Sequence, residues 1–367
     1  MLVKILRYLD NRVRQEKTIM KETDIIFNED MKSIAEAEFI CWDLLRNKTV
    51  LITGATGLIG TSVIYSLDYV NQVKGLNTRV IALVRDKEKA QERFESILSN
   101  GMISFLVGTV EKLPTIQSEV DYIIHAASQT ASKEFVQHAV ETIHTSVLGT
   151  LNLLKYGKER AIKGFVYLSS MEVYGYPERG HKVKEDEIGA LSPLDLRNSY
   201  PISKILSESA CCAYAREYDM PVKICRLTQT FGPGVHYDDN RIFAYLGRCL
   251  KEKKDIILKT KGETERCYLY TADAVAAILI VLLIGESGKA YNIANEKTYC
   301  SISEMANRLA KMGGISVQYD IQDNKKNGFP ETLYMDLDTE SILALGWKPL
   351  KDYSIEEMFQ RMVFGFI

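Results

Sequence analysis

The sequence predicts an α/β fold: a doubly wound parallel sheet with helices on both faces, followed by a smaller C-terminal mixed α/β lobe. Three observations carry that expectation. Short apolar runs alternate with helical stretches from Thr49 to about Arg226; the first run ends in glycines three residues apart; and beyond Phe231-Gly232-Pro233-Gly234 the elements become shorter and mixed.

The runs of strand length are Thr49–Thr53, Arg79–Val84, Ile103–Val107, Asp121–His125, Gly164–Ser169 and Val222–Arg226. Their apolar character suits strands covered on both faces. Three parts follow: a helical N-terminal extension over 1–46, the sheet domain over 47–232, and a lobe over 233–367 that mainly binds substrate while one segment returns to the sheet. A chain of 367 residues can form one large domain or two lobes around a shared core.

Charge and composition narrow the function. Lys and Arg number 46 against 48 Asp and Glu, so no basic face marks a nucleic-acid partner. The seven cysteines (41, 211, 212, 225, 249, 267 and 300) are odd in number and scattered, with no secretory leader before them, which predicts reduced thiols in a cytoplasmic protein. The longest apolar run, Ala274–Ile284, falls short of the roughly 20 residues a membrane span requires and predicts a buried helix. Met1–Arg14 alternates Lys4, Arg7, Arg12 and Arg14 with apolar residues; it reads either as an amphipathic membrane or partner helix or as a solvated, subunit-packing arm. No metal site is expected, because His125, His138, His144, His181 and His236 lack ligand spacing and Cys211-Cys212 falls in a helix. His125 is expected to line a cofactor groove.

The glycines are Gly54, Gly57 and Gly60 in Thr53-Gly54-Ala55-Thr56-Gly57-Leu58-Ile59-Gly60. Between a strand and a helix, the first glycine makes a tight turn, the second lets backbone approach a pyrophosphate, and the third lets helix pack on strand. Backbone N–H groups around Thr56, Leu58 and Ile59 then face the negative charge. The pattern predicts a Rossmann-type dinucleotide site. The next strand ends in Val84-Arg85-Asp86, where an NAD ribose favours a carboxylate. Arg85 at that tip suits a 2′-phosphate and points to NADP; Asp86, one register on, leaves NAD possible.

Tyr200 and Lys204, in Ser199-Tyr200-Pro201-Ile202-Ser203-Lys204, share a helix face. A phenol ordinarily titrates near about 10. A neighbouring ammonium favours phenolate and makes it a usable base in hydride-transfer chemistry. Ser170, at the end of the Val166–Ser169 run, supplies a hydroxyl for the same substrate oxygen.

With these residues, and with His125-Ala126-Ala127-Ser128, Leu148–Leu154, Ser169–Gly175, Arg226–Pro233 and Leu345–Pro349, the chain resembles the extended short-chain dehydrogenase/reductases, and among them the NAD-dependent epimerase/dehydratase family, from about residue 48 onward. Its second half is similar to UDP-glucuronate decarboxylases. The resemblance implies Ser170, Tyr200 and Lys204 as the catalytic triad, Glu172 as an additional base or a hydrogen-bonding group of the site, and Ala126, Ala127 and Ser128 on the cofactor. It also implies Gln229, Arg241 and Arg266 facing a nucleotide-diphosphate sugar, and a homodimer built around the Tyr200 helix.

Three departures bear on the reaction. Met171 stands where dehydratases carry an aspartate acid and decarboxylases a serine, and a thioether transfers no proton. Gln229 and Ser146 each replace an asparagine, which implies a different placement of the substrate. Arg85 and Met171 together lean toward NADPH-dependent reduction of a nucleotide-linked keto-sugar or ketose, for surface polysaccharide precursors. A closed redox cycle of epimerase, dehydratase or decarboxylase type is the alternative, and a non-catalytic nucleotide-binding regulator is the third reading.

Overall fold

Strand β1 (Thr49–Thr53) is buried along its whole length and pairs in parallel with β2 (Arg79–Val84) on one side and β4 (Tyr122–His125) on the other. The computed structural model describes residues 25–129, 132–322 and 332–367. Met1–Arg14 and the rest of the extension up to residue 24 lie outside the described residues. With β3 (Ile103–Val107), β5 (Gly164–Ser170), β7 (Val222–Leu227) and β11 (Ala290–Ile293), these strands form one seven-stranded sheet in the order β11-β7-β5-β4-β1-β2-β3. Every pairing in it is parallel. This is the doubly wound sheet that the sequence predicts. The order reverses between β1 and β4, so a crevice opens beyond the carboxyl ends of those two strands.

Crossover helices follow from the parallel pairing. A first helix, α1, covers residues 25–35 ahead of the sheet. Then come α2 (Leu58–Lys74), α3 (Lys87–Leu98), the short α4 (Ser132–Gln137) and α5 (Ala139–Ile143), α6 (Gly149–Glu159) and α7 (Ser199–Tyr218). Helix α8 (Ile242–Glu252) precedes α9 (Thr271–Ile284), which packs on α2, β5 and β7. The apolar run expected as a buried helix is α9, and Ala274–Leu282 are all buried in it. Among the described residues, no helix is long and apolar enough to cross a membrane.

A second sheet is built from β12 (Asn295–Ser301), β10 (Glu265–Tyr270), β14 (Tyr334–Leu337) and the two-residue β6 (Lys182–Val183), with β8 (Gln229–Phe231) pairing β10. Because β8 follows β7 after one residue and β12 follows β11 after one residue, this sheet begins at the carboxyl edge of the large one. It therefore faces the crevice from above.

The segment before β1 joins the core rather than trailing from it. Met31, Ile34, Ala35, Ile40, Trp42 and Leu45 are buried with α2 and β1 in one apolar cluster. Phe27 meets Tyr65 of α2 edge-on at 5.0 Å between ring centres. Arg361, in the C-terminal helix Ile355–Phe364, bonds Asp30 at 2.8 Å and Tyr270 at 2.8 Å, and Tyr270 donates to Asp30 at 2.7 Å. The segment thus clasps the cofactor-side helix to the second sheet. Burial raises the Asp30 carboxyl to about 6 against the opposing pull of Arg361.

Candidate active site

The glycine-rich bend is dictated by backbone contact. Gly54 sits at φ +65°, and a Cβ there would lie 2.6 Å from the Ala126 carbonyl. At Gly60 a Cβ would lie 2.3 Å from the Gly54 oxygen and 2.8 Å from the Ala55 Cα, so these two positions hold strand, helix and the loop after β4 together. Gly57, at the N-cap of α2, is exposed and has no side-chain cap. The first-turn N–H groups of a helix have no partner inside it. With the dipole of a 17-residue helix behind them, those around Leu58 and Ile59 make an anion cradle. Ser169 Oγ, near the tip of β5, is buried without a hydrogen-bond partner among the described residues. An uncapped helix start, an approach open to backbone and an orphaned hydroxyl fit a dinucleotide.

Thr56 is exposed beside Gly57, and Arg85 is exposed at the carboxyl tip of β2. Asp86 caps α3 by accepting from the Lys89 N–H at 3.1 Å. Ala126, Ala127 and Ser128 are half-buried on the loop after β4, and the Ala127 N–H donates to Thr53 Oγ1 at 3.2 Å.

His125 does not line the groove, contrary to expectation. It is buried with Nδ1 2.7 Å from Thr53 Oγ1 and Nε2 3.1 Å from Thr150 Oγ1. Thr150 donates to the Ser146 carbonyl at 2.5 Å, so Nε2 of the neutral ring donates to Thr150, and Nδ1 accepts from the Thr53 hydroxyl, which itself accepts from Ala127. One neutral tautomer satisfies the whole chain, and burial holds the imidazole down at about 3. The ring is a strut tying β1, β4 and α6. Ser146 itself is buried in a π-helical turn, His144–Leu148, with its hydroxyl 3.2 Å from that of Tyr167.

Opposite the cradle, Tyr200 opens α7 and Lys204 follows one turn later, both buried. Lys204 Nζ donates to the Leu168 carbonyl at 2.7 Å and lies 4.7 Å from the Tyr167 ring centre and 5.6 Å from that of Tyr200. Burial lowers the ammonium to about 7, with Glu208 opposing. Burial raises the Tyr200 phenol well above its usual range and the Glu172 carboxylate raises it further, while hydrogen bonding to Ser170 and Ser128 and the charge of Arg197 pull it down. Ser128, Ser170, Glu172, Tyr200 and Lys204 are thereby brought together. Ser170 Oγ also accepts from the Glu172 N–H at 3.2 Å, capping the 3₁₀ turn Met171–Tyr174.

Two residues of this cluster escaped the sequence reading. Phe135 of α4 stacks on Tyr200, with ring centres 4.3 Å apart and planes 1° from parallel. Arg197 pairs with Glu172 at 3.0 Å. Neither belongs to a motif, and only their nearness in the fold singles them out.

On the sugar side, Arg266 of β10 donates through Nη1 to Gln229 Oε1 at 3.0 Å, and its Nε is buried without a partner among the described residues. Met171 is buried in a small cluster with Cys267, Met335 and Leu337, its sulfur 3.2 Å from Thr228 Oγ1. Arg241, at the N-cap of α8, turns its fork onto Asp239 at 3.0 and 2.5 Å, and is not hydrogen-bonded to Arg266 or Gln229. Its guanidinium lies 4.7 Å from the ring centre of Phe243, which stacks on Phe231 of β8. Among the described residues, no group of His, Cys, Asp or Glu is arranged to hold a metal ion.

The chain is similar to several known proteins. UDP-glucuronic acid decarboxylase 1 of Xenopus tropicalis is 27% identical over 309 residues, covering 83% of this chain and 69% of its own. The dTDP-D-glucose 4,6-dehydratase of Mus musculus is 27% identical over 313 residues, covering 82% and 84%. Among solved structures, epimerase Mth375 from Methanothermobacter thermautotrophicus superposes with a TM-score of 0.73 at 20% identity, covering 88% of this chain and 93% of its own. DesIV, a dTDP-glucose 4,6-dehydratase from Streptomyces venezuelae with NAD bound, gives 0.71 at 22% identity, covering 86% and 96%. Residues 50–294 match the NAD dependent epimerase/dehydratase family across two thirds of the chain, and the protein belongs to that family.

Proposed function

We propose that the protein acts on a nucleotide-diphosphate sugar by a closed redox cycle, in which the hydride removed from the substrate returns to it. The observation that carries this is the meeting of Tyr200 with Ser170 and Lys204, linked to the Gly54–Gly60 bend by the loop that sets Ala126 against Gly54 and Ser128 against Tyr200. The decarboxylase and dehydratase relatives favour the closed cycle over the net reduction toward which Arg85 and Met171 lean.

Tyr200 accepts the substrate hydroxyl proton as a ketone forms, and Ser170 holds the oxygen that loses it. Lys204, anchored on the Leu168 carbonyl, favours the phenolate in its protonated form, and its lowered ammonium lets it exchange a proton near neutral pH. A dinucleotide bound at the 54–60 bend would supply the hydride acceptor and, when oxidised, a charge that favours the phenolate. Tyr200 then returns the proton when the ketone is reduced. Glu172, which acts on the Tyr200 phenol and pairs with Arg197, would be the group that exchanges a proton at carbon beside the ketone. Routes that require a proton donor at position 171 are disfavoured, because Met171 offers none. Arg266, with one donor on Gln229 and Nε unmatched, suits the diphosphate. NAD is sufficient for a closed cycle and is the bound cofactor in DesIV; Arg85 is the residue that would admit a 2′-phosphate.

A second copy of the chain is the natural cover for the apolar side chains that α5 to α7 expose at Val140, Ile143, Leu151 and Leu206. Equilibrium sedimentation at a dimer mass supports that pairing, and a monomer rejects it.

Purified enzyme, NAD or NADPH and a panel of nucleotide sugars test the reaction, with product followed by chromatography and reduced nicotinamide by absorbance. Product formed with no net change in nicotinamide is the expected result. Stoichiometric NADPH loss would restore the reductive reading, and binding without turnover of any sugar would favour the regulator.

A further inference from the structure

Tyr200 and Glu172, the groups that handle protons in the proposed cycle, sit on different elements, and a single side chain touches the surroundings of both. Arg197 lies on the 3₁₀ turn Leu196–Asn198 just before α7, where its N–H donates to Asp195 Oδ1 at 2.9 Å and Asn198 Nδ2 donates to the Ser192 carbonyl at 3.0 Å. Its backbone is pinned. Its guanidinium reaches Glu172 Oε2 at 3.0 Å, and both side chains keep about a quarter of their surface exposed, 26% each. Its Cζ also lies 4.9 Å from the ring centre of Phe135. Phe135 stacks on Tyr200 at 4.3 Å, and its carbonyl accepts from Ser199 Oγ at 2.8 Å. Phe135 thus contacts guanidinium and phenol at once.

We propose that Arg197 is a positioning residue for both proton-handling groups, holding the Glu172 carboxylate by an ion pair and the plane of the Tyr200 ring through Phe135. Its catalytic consequence rests on the closed-cycle reading; its geometric part does not. An exposed ion pair alone contributes little to stability. This pair matters instead because each member acts on the phenol with opposite sign. The charged groups facing Tyr200 are Glu172 from the turn after β5, Arg197 from the turn before α7, and Lys204 on its own helix; Ser128 and Ser170 add hydroxyls. Removing Arg197 leaves the Glu172 charge uncompensated and disfavours phenolate. Removing Glu172 leaves a cation and favours it. A merely structural role predicts no such reversal.

The test uses the full chain with oxidised dinucleotide and no sugar. Phenolate absorbance of each variant is read against the same variant carrying Tyr200→Phe, which isolates one phenol among the 20 tyrosines. Arg197→Gln is expected to raise the Tyr200 midpoint by about one pH unit, Glu172→Gln to lower it by about as much, and the double variant to return near the parent, as suits single charges a few ångströms away. Arg197→Lys should restore much of the midpoint, since charge is kept, while turnover stays reduced because the planar contact with Phe135 is lost. Retained dinucleotide affinity certifies the fold of each variant. The proposal is overturned if Arg197→Gln leaves the midpoint in place or if both single variants move it the same way. Titration shifts with no turnover of any sugar would sink the closed cycle alone; turnover with an unmoved midpoint would sink the positioning role alone.

Discussion

At the proposed dinucleotide end of the cleft the main chain forms the surface, whereas at the proposed sugar end side chains from separate elements form it. The bend at Gly54, Gly57 and Gly60 is contiguous, and its demands are steric: a positive φ, a close approach to Ala126 and a helix start without a cap. The sugar end gathers Ser170 from β5, Glu172 from the following turn, Arg197 from another turn, Phe135 from α4, Gln229 from β8 and Arg266 from β10. One end tolerates almost no change in main-chain shape. The other is assembled from side chains whose exchange leaves the main chain in place.

That contrast is broken or sharpened first at Gly54. A methyl at φ +65° and 2.6 Å from a carbonyl must displace main chain. Gly54→Ala is expected to abolish dinucleotide binding by calorimetry and to cost about 2 kcal/mol or more in denaturant unfolding. At the sugar end the largest effect belongs to Tyr200→Phe, which keeps the stack on Phe135 and removes only the hydroxyl. Turnover should fall about a thousandfold with dinucleotide affinity preserved, since general acid–base groups contribute on that order. Equal losses of affinity and turnover would mean that the phenol is structural.

The same contrast governs what the sequence discloses. Strands buried on both faces announce themselves as apolar runs, and β1 and β2 begin and end where those runs do, as does the partly exposed edge strand β3. The glycine spacing is readable because cause and residue are neighbours in the chain. The Glu172–Arg197 pair and the Phe135 stack are not, because their partners meet only after the sheet forms. His125 shows the opposite error. A histidine closing the strand at the crevice reads as a groove residue, yet hydroxyls from Thr53 and Thr150, remote in sequence, make it a core strut.

Arg266→Ala is expected to raise KM for the nucleotide sugar about ten- to a hundredfold with kcat nearly unchanged, the signature of a ground-state phosphate contact. Steady-state kinetics with sugars of varied nucleotide would check it. An effect on kcat alone would move Arg266 from binding to chemistry.

The His125 strut gives a smaller and pH-dependent effect. Its imidazole is held at about 3 when folded against an ordinary 6.5, so the unfolded chain binds the extra proton between those values. By linkage, stability contributed by the neutral ring is present above about 6.5 and is lost as pH falls toward about 3, at no more than about 1.4 kcal/mol per pH unit. Urea unfolding of wild type and His125→Gln across that range should show a shallower acid slope in the variant.

Smallest of all is the effect expected at Arg85. Its side chain is exposed at the tip of β2, and Asp86 beside it is engaged as the cap of α3, so any contact Arg85 makes with a ribose phosphate would be that of a solvated cation. An exposed charge–charge contact of that kind contributes about 1 kcal/mol or less. Arg85→Ser should therefore weaken NADP by a few-fold and leave NAD within error, read as separate dissociation constants at fixed ionic strength. A loss of NAD binding as large as that at Gly54 would show that this corner, too, is built by the backbone and that the division between the two ends is drawn in the wrong place.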